Sequence, residues 1–538
     1  MRRDWLIAAW VVGALALLTT VYLVVLPLIP IDETRYAGVA LEMWQGGDFL
    51  VPRINGAFYA QKPPLLFWLM QAGWAAFGVS DWWPRVAVAL CSLAAAGLTV
   101  RLAALLWPER PRVRRIAPVM LMGTGLWAVW APAVMFDVLL TVCVLIALVG
   151  VAELAGGHTR RGPLLLALGL GLGILAKGPV VLVHVLPTAL LAPLWYSGGA
   201  GGWRRWYAHI GLAVIGGAAI ALAWAVPAAI RGGPAYAETI FWGQSAGRMV
   251  NSFAHARPWW WYLAVLPLLV FPWIGWLSGW RTLARLRPRR EAGTGLLVSW
   301  LVTAFVTFTL ISGKQAHYLL PLLPGLALLM ARGIDELGET VSRWWDALPA
   351  AGGMLLAAGI TLWPHLGAVP ESAPGWVAEV PLWLPAALVL IALGMLAPAA
   401  RPVGRAIALS SLNVIAVVVI ILGIGGVAAA WYDLAPVGRL VAGLQQTGHP
   451  VAHVGKYHNR LRFPGRLSRP VTVIDDDEVK GWICSYRDGV VIRYYENAER
   501  IPDQPVLMKR PFRSDWLVVT RARDMPGFRS CPDARPSA

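Results

Sequence analysis

The chain has 538 residues, of which 58% are hydrophobic and 14% charged, with 30 Trp and a formal net charge of +17. That balance excludes both an ordinary soluble domain and a disordered chain, and it points to an all-α polytopic membrane protein with aromatic belts at the interfaces. The positive charge invites a nucleic-acid reading, but most of the cations lie in short loops between apolar runs, where they orient spans, so no nucleic-acid partner is expected.

At the start of the chain, Met1-Arg2-Arg3 precede an apolar run from Trp5 to Ile29. The run is long enough to span and lacks a small-residue cleavage site, which predicts an uncleaved anchor. A polar loop, 30–64, follows. The run 65–79 is short, interrupted by Gln71 and Gly73 and preceded by Pro63-Pro64, and it predicts a helix lying on the membrane surface. Further apolar runs at 85–107, 116–133, 138–154, 163–176, 179–196, 208–229, 259–280, 295–312, 317–333, 348–366, 380–399 and 406–431 bring the total to about 13 transmembrane helices. With a cytoplasmic N-terminus, the clusters Arg110 to Arg115, Arg160-Arg161, Arg204-Arg205, Arg281 to Arg290 and Arg401 to Arg405 all fall inside. The opposite side receives loop 30–64, Asp137, Lys177, loop 230–258 and Lys314 to His317. Expensive polar residues therefore gather at the outer face rather than at mid-bilayer, as in an enzyme working at the membrane surface rather than a transporter.

An odd number of spans sends residues 432–538 out of the cytoplasm. The composition changes there. Val437 to Gln446 reads as a helix, and Val451 to Gly455, Pro470 to Ile474, Gly489 to Tyr495 and Asp515 to Arg521 read as strands, giving a small C-terminal α/β extracytoplasmic domain. Residues 1–431 form the membrane domain, including the loop 30–64 and the surface helix 65–79. The run Asp475-Asp476-Asp477-Glu478 lacks the spacing of a calcium loop and reads as a solvated turn. Cys91 and Cys143 fall in apolar runs as packing residues. Cys484 and Cys531 lie where a disulfide is allowed, although two cysteines do not prove one.

Chemistry concentrates in the first loop. Asp32, Glu33, Arg35 and Tyr36 stand together, followed by Arg53 and Lys62. A carboxylate orients or deprotonates a nucleophile, and cations neutralise a leaving phosphate. The alternatives are an N-cap for Asp32 and snorkelling to lipid phosphates for Lys62, Arg35 and Arg53. Asp137 is either a second acidic site residue or an N-cap. Lys177 sits in the tight turn Lys177-Gly178-Pro179 as a phosphate contact. Arg248 and His255 belong to an outer loop whose tryptophans read as an interfacial belt. In Ser312 to Tyr318, Lys314 and Tyr318 suit a phosphate and a sugar hydroxyl. His184, within an apolar run, reads as a hydrogen-bonded structural residue.

The order of these pieces resembles the GT-C glycosyltransferases, and within them the aminoarabinose-transferase family of bacterial lipid A modification. The resemblance is carried by Asp32 to Ala37, Gly47-Asp48, Pro52 and Lys62 to Pro64, then by Asp137, Lys177-Gly178-Pro179, His255 to Tyr262 and Lys314 to Pro321. It covers the chain well to about residue 330 and the rest by layout. It implies a GT-C helical bundle, an undecaprenyl-phosphate-linked sugar donor and inverting transfer at the periplasmic face of a bacterial inner membrane. It also implies roles. Asp32 would be the main catalytic carboxylate, with Glu33 beside it and Asp137 secondary. Lys62 and Arg35 would bind the donor phosphate, and Tyr36 and Tyr318 would line the cavity. Where many relatives have Glu before the Lys-Pro pair this chain has Gln61, so no metal and no other cofactor is expected. The acceptor stays open between lipid A or another envelope glycan and protein, and a lipid-linked-sugar transporter and a non-catalytic scaffold are the remaining alternatives.

Overall fold

The computed structural model describes residues 2–198, 202–243, 256–288, 291–337, 343–367, 369, 373–399 and 401–531. It divides into two compact units. The first comprises Met1–Val24, Ala60–Thr361 and Leu382–Ile421, and the second Val25–Tyr59, Leu362–Pro381 and Leu422–Ala538.

The first unit is helical. Its leading helices are α1 (Arg2–Val25), then α3 (Leu65–Phe77), α4 (Trp83–Leu106), α5 (Pro111–Met122), α6 (Gly125–Trp130), α7 (Phe136–Ala155), α8 (Arg161–Lys177), α9 (Val180–Leu190) and α10 (Gly202–Gly232), α2 belonging to the other unit. Among the described residues of the whole chain, eight helices are long and apolar enough to cross a membrane. The protein is a multi-pass membrane protein. The expected total of about 13 counts apolar runs, whereas these eight are continuous helices. Apolar run length does not register breaks, and several expected spans are broken. The run 116–133 divides at Gly123-Thr124 into α5 and α6, and 179–196 stops being α-helical after Leu190, behind Pro187. The run 259–280 divides around Pro272 into Trp261–Leu269 and Leu277–Leu283. Proline removes a helix hydrogen bond without lowering hydropathy.

Glycines allow α7 and α8 to pack closely. A Cβ on Gly150 of α7 would lie 2.4 Å from the Leu166 backbone nitrogen, and one on Gly169 of α8 would lie 2.4 Å from that of Ala147. The two backbones are thus in contact, the geometry small residues permit in membrane helices. This packing fixes the start of α7 against the end of α8. At the other end of α7, the buried Glu153 carboxylate pairs with Arg101 of α4 and with His158 at 2.8 Å. α3 forms where a surface helix was expected, and it buries Leu66, Phe67, Met70, Gln71, Gly73 and Trp74. That face packs closely enough that a Cβ on Gly73 would overlap the Trp83 indole.

The second unit is built on a five-stranded sheet. In spatial order its strands are β4 (Thr472–Ile474), β3 (Val451–Val454), β5 (Val490–Tyr495), β7 (Asp515–Arg521) and β6 (Met508–Phe512), β1 and β2 forming a separate hairpin. β3 pairs parallel with β4 and β5, whereas β7 is antiparallel to both β5 and β6. Alternating residues build two cores. Val451, Val490, Ile492, Leu517 and Val519 pack with Val437 and Val441 of the helix Ala435–Gln446. Ala452, Val454 and Val491 pack with Trp482 and Ile483 of the helix Val479–Ser485. The expected strands and the helix near 437–446 form. The helix Val479–Ser485 and β6 were not anticipated. Cys484 and Cys531 are joined by a disulfide, with Cα atoms 5.3 Å apart.

Residues 30–59 of the first loop belong to this unit. They contain α2 (Asp32–Gly46) and the hairpin β1 (Arg53–Ile54) and β2 (Ala57–Phe58), turned at Asn55 and Gly56, both with positive φ. The Asn55 carboxamide donates to Val471 O and accepts from Val471 N, both at 2.8 Å. Arg462 donates to Gln45 Oε1 at 2.8 Å. The buried Glu42 carboxylate accepts from the Asn55 and Gly56 amides at 2.8 and 2.6 Å. A segment that reads as a loop in sequence is thus a structured part of the α/β unit.

Candidate active site

In the α/β unit the site begins at the head of α2. Asp32 and Glu33 occupy its first turn, where carboxylates oppose the positive end of the helix dipole. The cap position is Ile31, and no side chain caps the helix. Asp32 is therefore not the N-cap. Its carboxylate instead forms an ion pair with Arg35, one turn on, and remains 45% exposed while Arg35 is 19% exposed. Glu33 is buried and accepts from the Ile29 amide at 2.8 Å, which ties it to the chain entering the helix. The Arg35 guanidinium lies 5.2 Å from the Tyr36 ring centroid and 3.5 Å from its hydroxyl. Burial works against the Arg35 charge, but Tyr59, Tyr36 and Asp32 together raise its pKa above the ordinary value. Burial, and then the Asp32 charge, push the Tyr36 hydroxyl well above the usual phenol value, so it stays protonated as a donor. An accessible carboxylate thus stands beside a permanent cation and a neutral phenol. Arg53 lies apart from this set. It donates to Gly56 O at 3.2 Å and covers the Phe58 ring within the hairpin.

In the helical unit a second constellation forms where α7 meets α8. Asp137 is the second residue of α7, whose cap position is Met135, so it too is not the N-cap. Lys177 is the last residue of α8. The two form an ion pair in which Asp137 is 2% and Lys177 10% exposed. Lys177 Nζ also sits 4.4 Å from the Tyr318 ring centroid. His317 Nε2 is 3.9 Å from the Asp137 carboxylate, and its ring stacks on Trp130. Lys62 Nζ lies 5.8 Å from the Phe136 ring and close enough for its charge to act on Asp137. Two lysines against one carboxylate leave the cluster net positive, which suits a phosphate.

Lys62, Asp137, Lys177 and Tyr318 thus come together as the sequence suggested. Asp32, Arg35 and Tyr36 do so at the head of α2. Lys314 faces elsewhere. It is buried, and Nζ donates to the Ile311 and Arg257 carbonyls at 2.5 and 3.1 Å, tying Ile311-Lys314 to the chain at Arg257. Arg248 and His255 lie outside the described residues. His184 is buried without a hydrogen-bond partner among the described residues and packs on Phe308, so the expected structural bond is not formed. Sequence reasoning singled out neither Tyr59 nor His317. The only available signal was the place of His317 beside Tyr318 in a polar turn, and Tyr59 carried none.

The fold, a helical membrane unit and an α/β unit that includes residues 30–59, is shared with solved structures. The chain superposes on the crystal structure of ArnT from Cupriavidus metallidurans bound to undecaprenyl phosphate with a TM-score of 0.75 and 21% identity, covering 95% of this chain and 98% of that one. The apo structure of the same protein superposes with a TM-score of 0.74 at 21% identity, covering 96% and 98%. In sequence, the profile of the family described as dolichyl-phosphate-mannose-protein mannosyltransferase matches residues 61–230. The chain is 32% identical over 326 residues to undecaprenyl phosphate-alpha-4-amino-4-deoxy-L-arabinose arabinosyl transferase 1 of Pseudomonas fluorescens (strain Pf0-1), covering 59% of this chain and 54% of that protein. It is 32% identical over 336 residues to the corresponding transferase of Pseudomonas aeruginosa (strain LESB58), covering 61% and 60%. The chain thus spans between half and two thirds of the length of these relatives, and the resemblance seen in its motifs is to the aminoarabinose transferases.

Proposed function

We propose that this protein is an inverting glycosyltransferase that takes a sugar of the aminoarabinose type from undecaprenyl phosphate. The acceptor would be lipid A or a related envelope glycan, at the periplasmic face of a bacterial inner membrane. The observation that carries the reading is the half-exposed Asp32 carboxylate held beside Arg35 and Tyr36 at the head of α2. In this scheme the bond between the sugar anomeric carbon and the phosphate oxygen breaks as an acceptor oxygen attacks from the opposite face. Within the helical unit, Lys62 and Lys177 carry the charge that suits a phosphate. Asp32 takes the proton of a hydroxyl acceptor, or orients an acceptor that is already an anionic phosphate. The scheme uses no metal, because cationic side chains suffice for a phosphate leaving group.

The test is release of undecaprenyl phosphate by purified protein in detergent, with lipid A as acceptor, for wild type and Asp32→Asn. Loss of turnover by at least about 100-fold, with donor binding kept, is expected of a general base or orienting carboxylate. Equal turnover in the variant would refute the role of Asp32. No turnover by wild type with any polyprenyl-linked sugar would refute the transferase reading and favour a transporter. A second reading, sugar transfer to protein, is supported by the mannosyltransferase profile over residues 61–230. It predicts labelled sugar in protein rather than in lipid.

A further inference from the structure

The segment from Lys456 to Arg462 leaves β3 and crosses the face of α2 within the α/β unit. Gly38 makes the approach possible, since a Cβ there would lie 3.0 Å from Asn459 Nδ2 and 3.3 Å from Arg462 Cβ. His458 and Asn459 both take the left-handed conformation, at φ 50° and 60°, which non-glycine residues adopt in succession only where surrounding structure enforces it.

The side chains presented there are mostly cationic. Lys456 is exposed and His458 and Arg460 are half-buried. Arg460 is held by its planes, 5.3 Å from the Tyr494 ring and 5.6 Å from the Phe512 ring, and one amino group donates to Lys456 O at 2.9 Å. Charges from Arg460, Arg35, Lys456 and Asp32 all reach the His458 imidazole. Its pKa is depressed, first by burial and then by those three cations, with Asp32 opposing. Asp32 is already paired with Arg35, so the surplus charge is positive.

Donors are also left over. Asn459 is fully buried, and neither atom of its carboxamide has a hydrogen-bond partner among the described residues. The Nε groups of Arg35 and Arg460 are buried and likewise unmatched. Buried polar atoms are nearly always satisfied, and three orphaned donors, Asn459 Nδ2 and the Nε groups of Arg35 and Arg460, stand among surplus cations where an anion can satisfy them.

We propose that Lys456, His458, Asn459 and Arg460, with Arg35 of α2, form a binding site for a phosphate monoester of the acceptor glycolipid. A transfer between a phosphate-linked donor and a phosphorylated acceptor needs two anion sites, and each unit carries a cation group that suits one. Lys62 and Lys177 of the helical unit form one, and the α/β unit supplies the other. The assignment rests on the proposed transferase reading only for the identity of the ligand as acceptor.

The test measures binding to the full-length protein in detergent, using bisphosphorylated lipid A, fully dephosphorylated lipid A, undecaprenyl phosphate and inorganic phosphate as separate probes. Lys456 is exposed, so Lys456→Glu leaves the fold in place. It is expected to weaken lipid A binding about tenfold, one reversed charge at a partly solvated phosphate. Lys456→Arg is expected to retain it, and dephosphorylated lipid A should bind both proteins equally weakly. Undecaprenyl phosphate should bind both equally. Unchanged lipid A binding in Lys456→Glu overturns the proposal. So does an equal loss for undecaprenyl phosphate, which would make this a donor site, or for inorganic phosphate, which would make it a general anion site. Failure of the transferase reading would show differently, as absence of donor turnover in wild type while the phosphate-dependent binding of lipid A persists.

Discussion

Replacing Lys177 with Met removes the principal partner of a carboxylate with almost no access to water. Asp137 is 2% exposed, and its remaining neighbours are the His317 imidazole at 3.9 Å and the more distant Lys62 charge. Two unit charges about 4 Å apart interact by roughly 4 kcal/mol at an effective dielectric near 20. Breaking a buried pair typically costs about 3–5 kcal/mol. The neighbours that remain recover part of this, so a loss of about 3 kcal/mol is expected. Asp137→Asn in the same background removes the uncompensated charge and should restore about 2 kcal/mol of it. The assay is unfolding by SDS titration in mixed micelles, followed by tryptophan fluorescence, as a double-mutant cycle. A Lys177→Met variant within 1 kcal/mol of wild type, or a double variant no more stable than the single, would refute the view that this pair is a mutually dependent buried unit.

Two further outcomes concern the α/β unit. His453 is fully buried, with ring nitrogens 3.1 Å from Gly455 O and from the Tyr494 hydroxyl, and burial, then Arg460, pushes its pKa from 6.5 to about 4. The unfolded chain takes up its proton near pH 6.5 and the native one only near pH 4, so stability falls as pH drops through that window, by about 3 kcal/mol in all. His453→Phe should flatten this slope in a pH series of thermal melts, and identical slopes for wild type and variant would contradict it. The Cys484–Cys531 disulfide spans 47 residues of sequence. Loop-closure entropy puts its contribution at about 4 kcal/mol. Cys484→Ser should lower the melting temperature of the α/β unit, and melting that is insensitive to reductant in wild type would count against it.

Much of this was legible in the residues. Asp32, Arg35 and Tyr36 are adjacent in sequence and stay adjacent on the first turns of α2. Asp137 and Lys177 could be named because charge next to an apolar run is expensive, but their pairing could not, since it depends on the glycine contact of α7 with α8 across 40 residues. The capping alternatives for Asp32 and Asp137 fall because the helices start one and two residues earlier than a cap at those positions requires. Lys314 shows the limit of reading charge alone, since backbone carbonyls can satisfy an ammonium as well as a phosphate can. Apolar runs and continuous helices do not map one to one, because prolines and turns interrupt runs whose hydropathy is continuous. The residues 456–460 were invisible as a group because their meaning comes from α2, more than 400 residues earlier.

That distance bears on the order in which the molecule is built. Asn55 meets Val471 across 416 residues, and Gln45 meets Arg462 across 417. At a synthesis rate of about 5–20 residues per second, α2 and its hairpin wait roughly 20–80 seconds for the strands that hold them. Through that interval Gln45 and Asn55 lack the partners they later acquire. These two contacts therefore form only as the last fifth of the chain emerges, and a nascent or prematurely terminated chain carries the Asp32 to Tyr36 stretch without them.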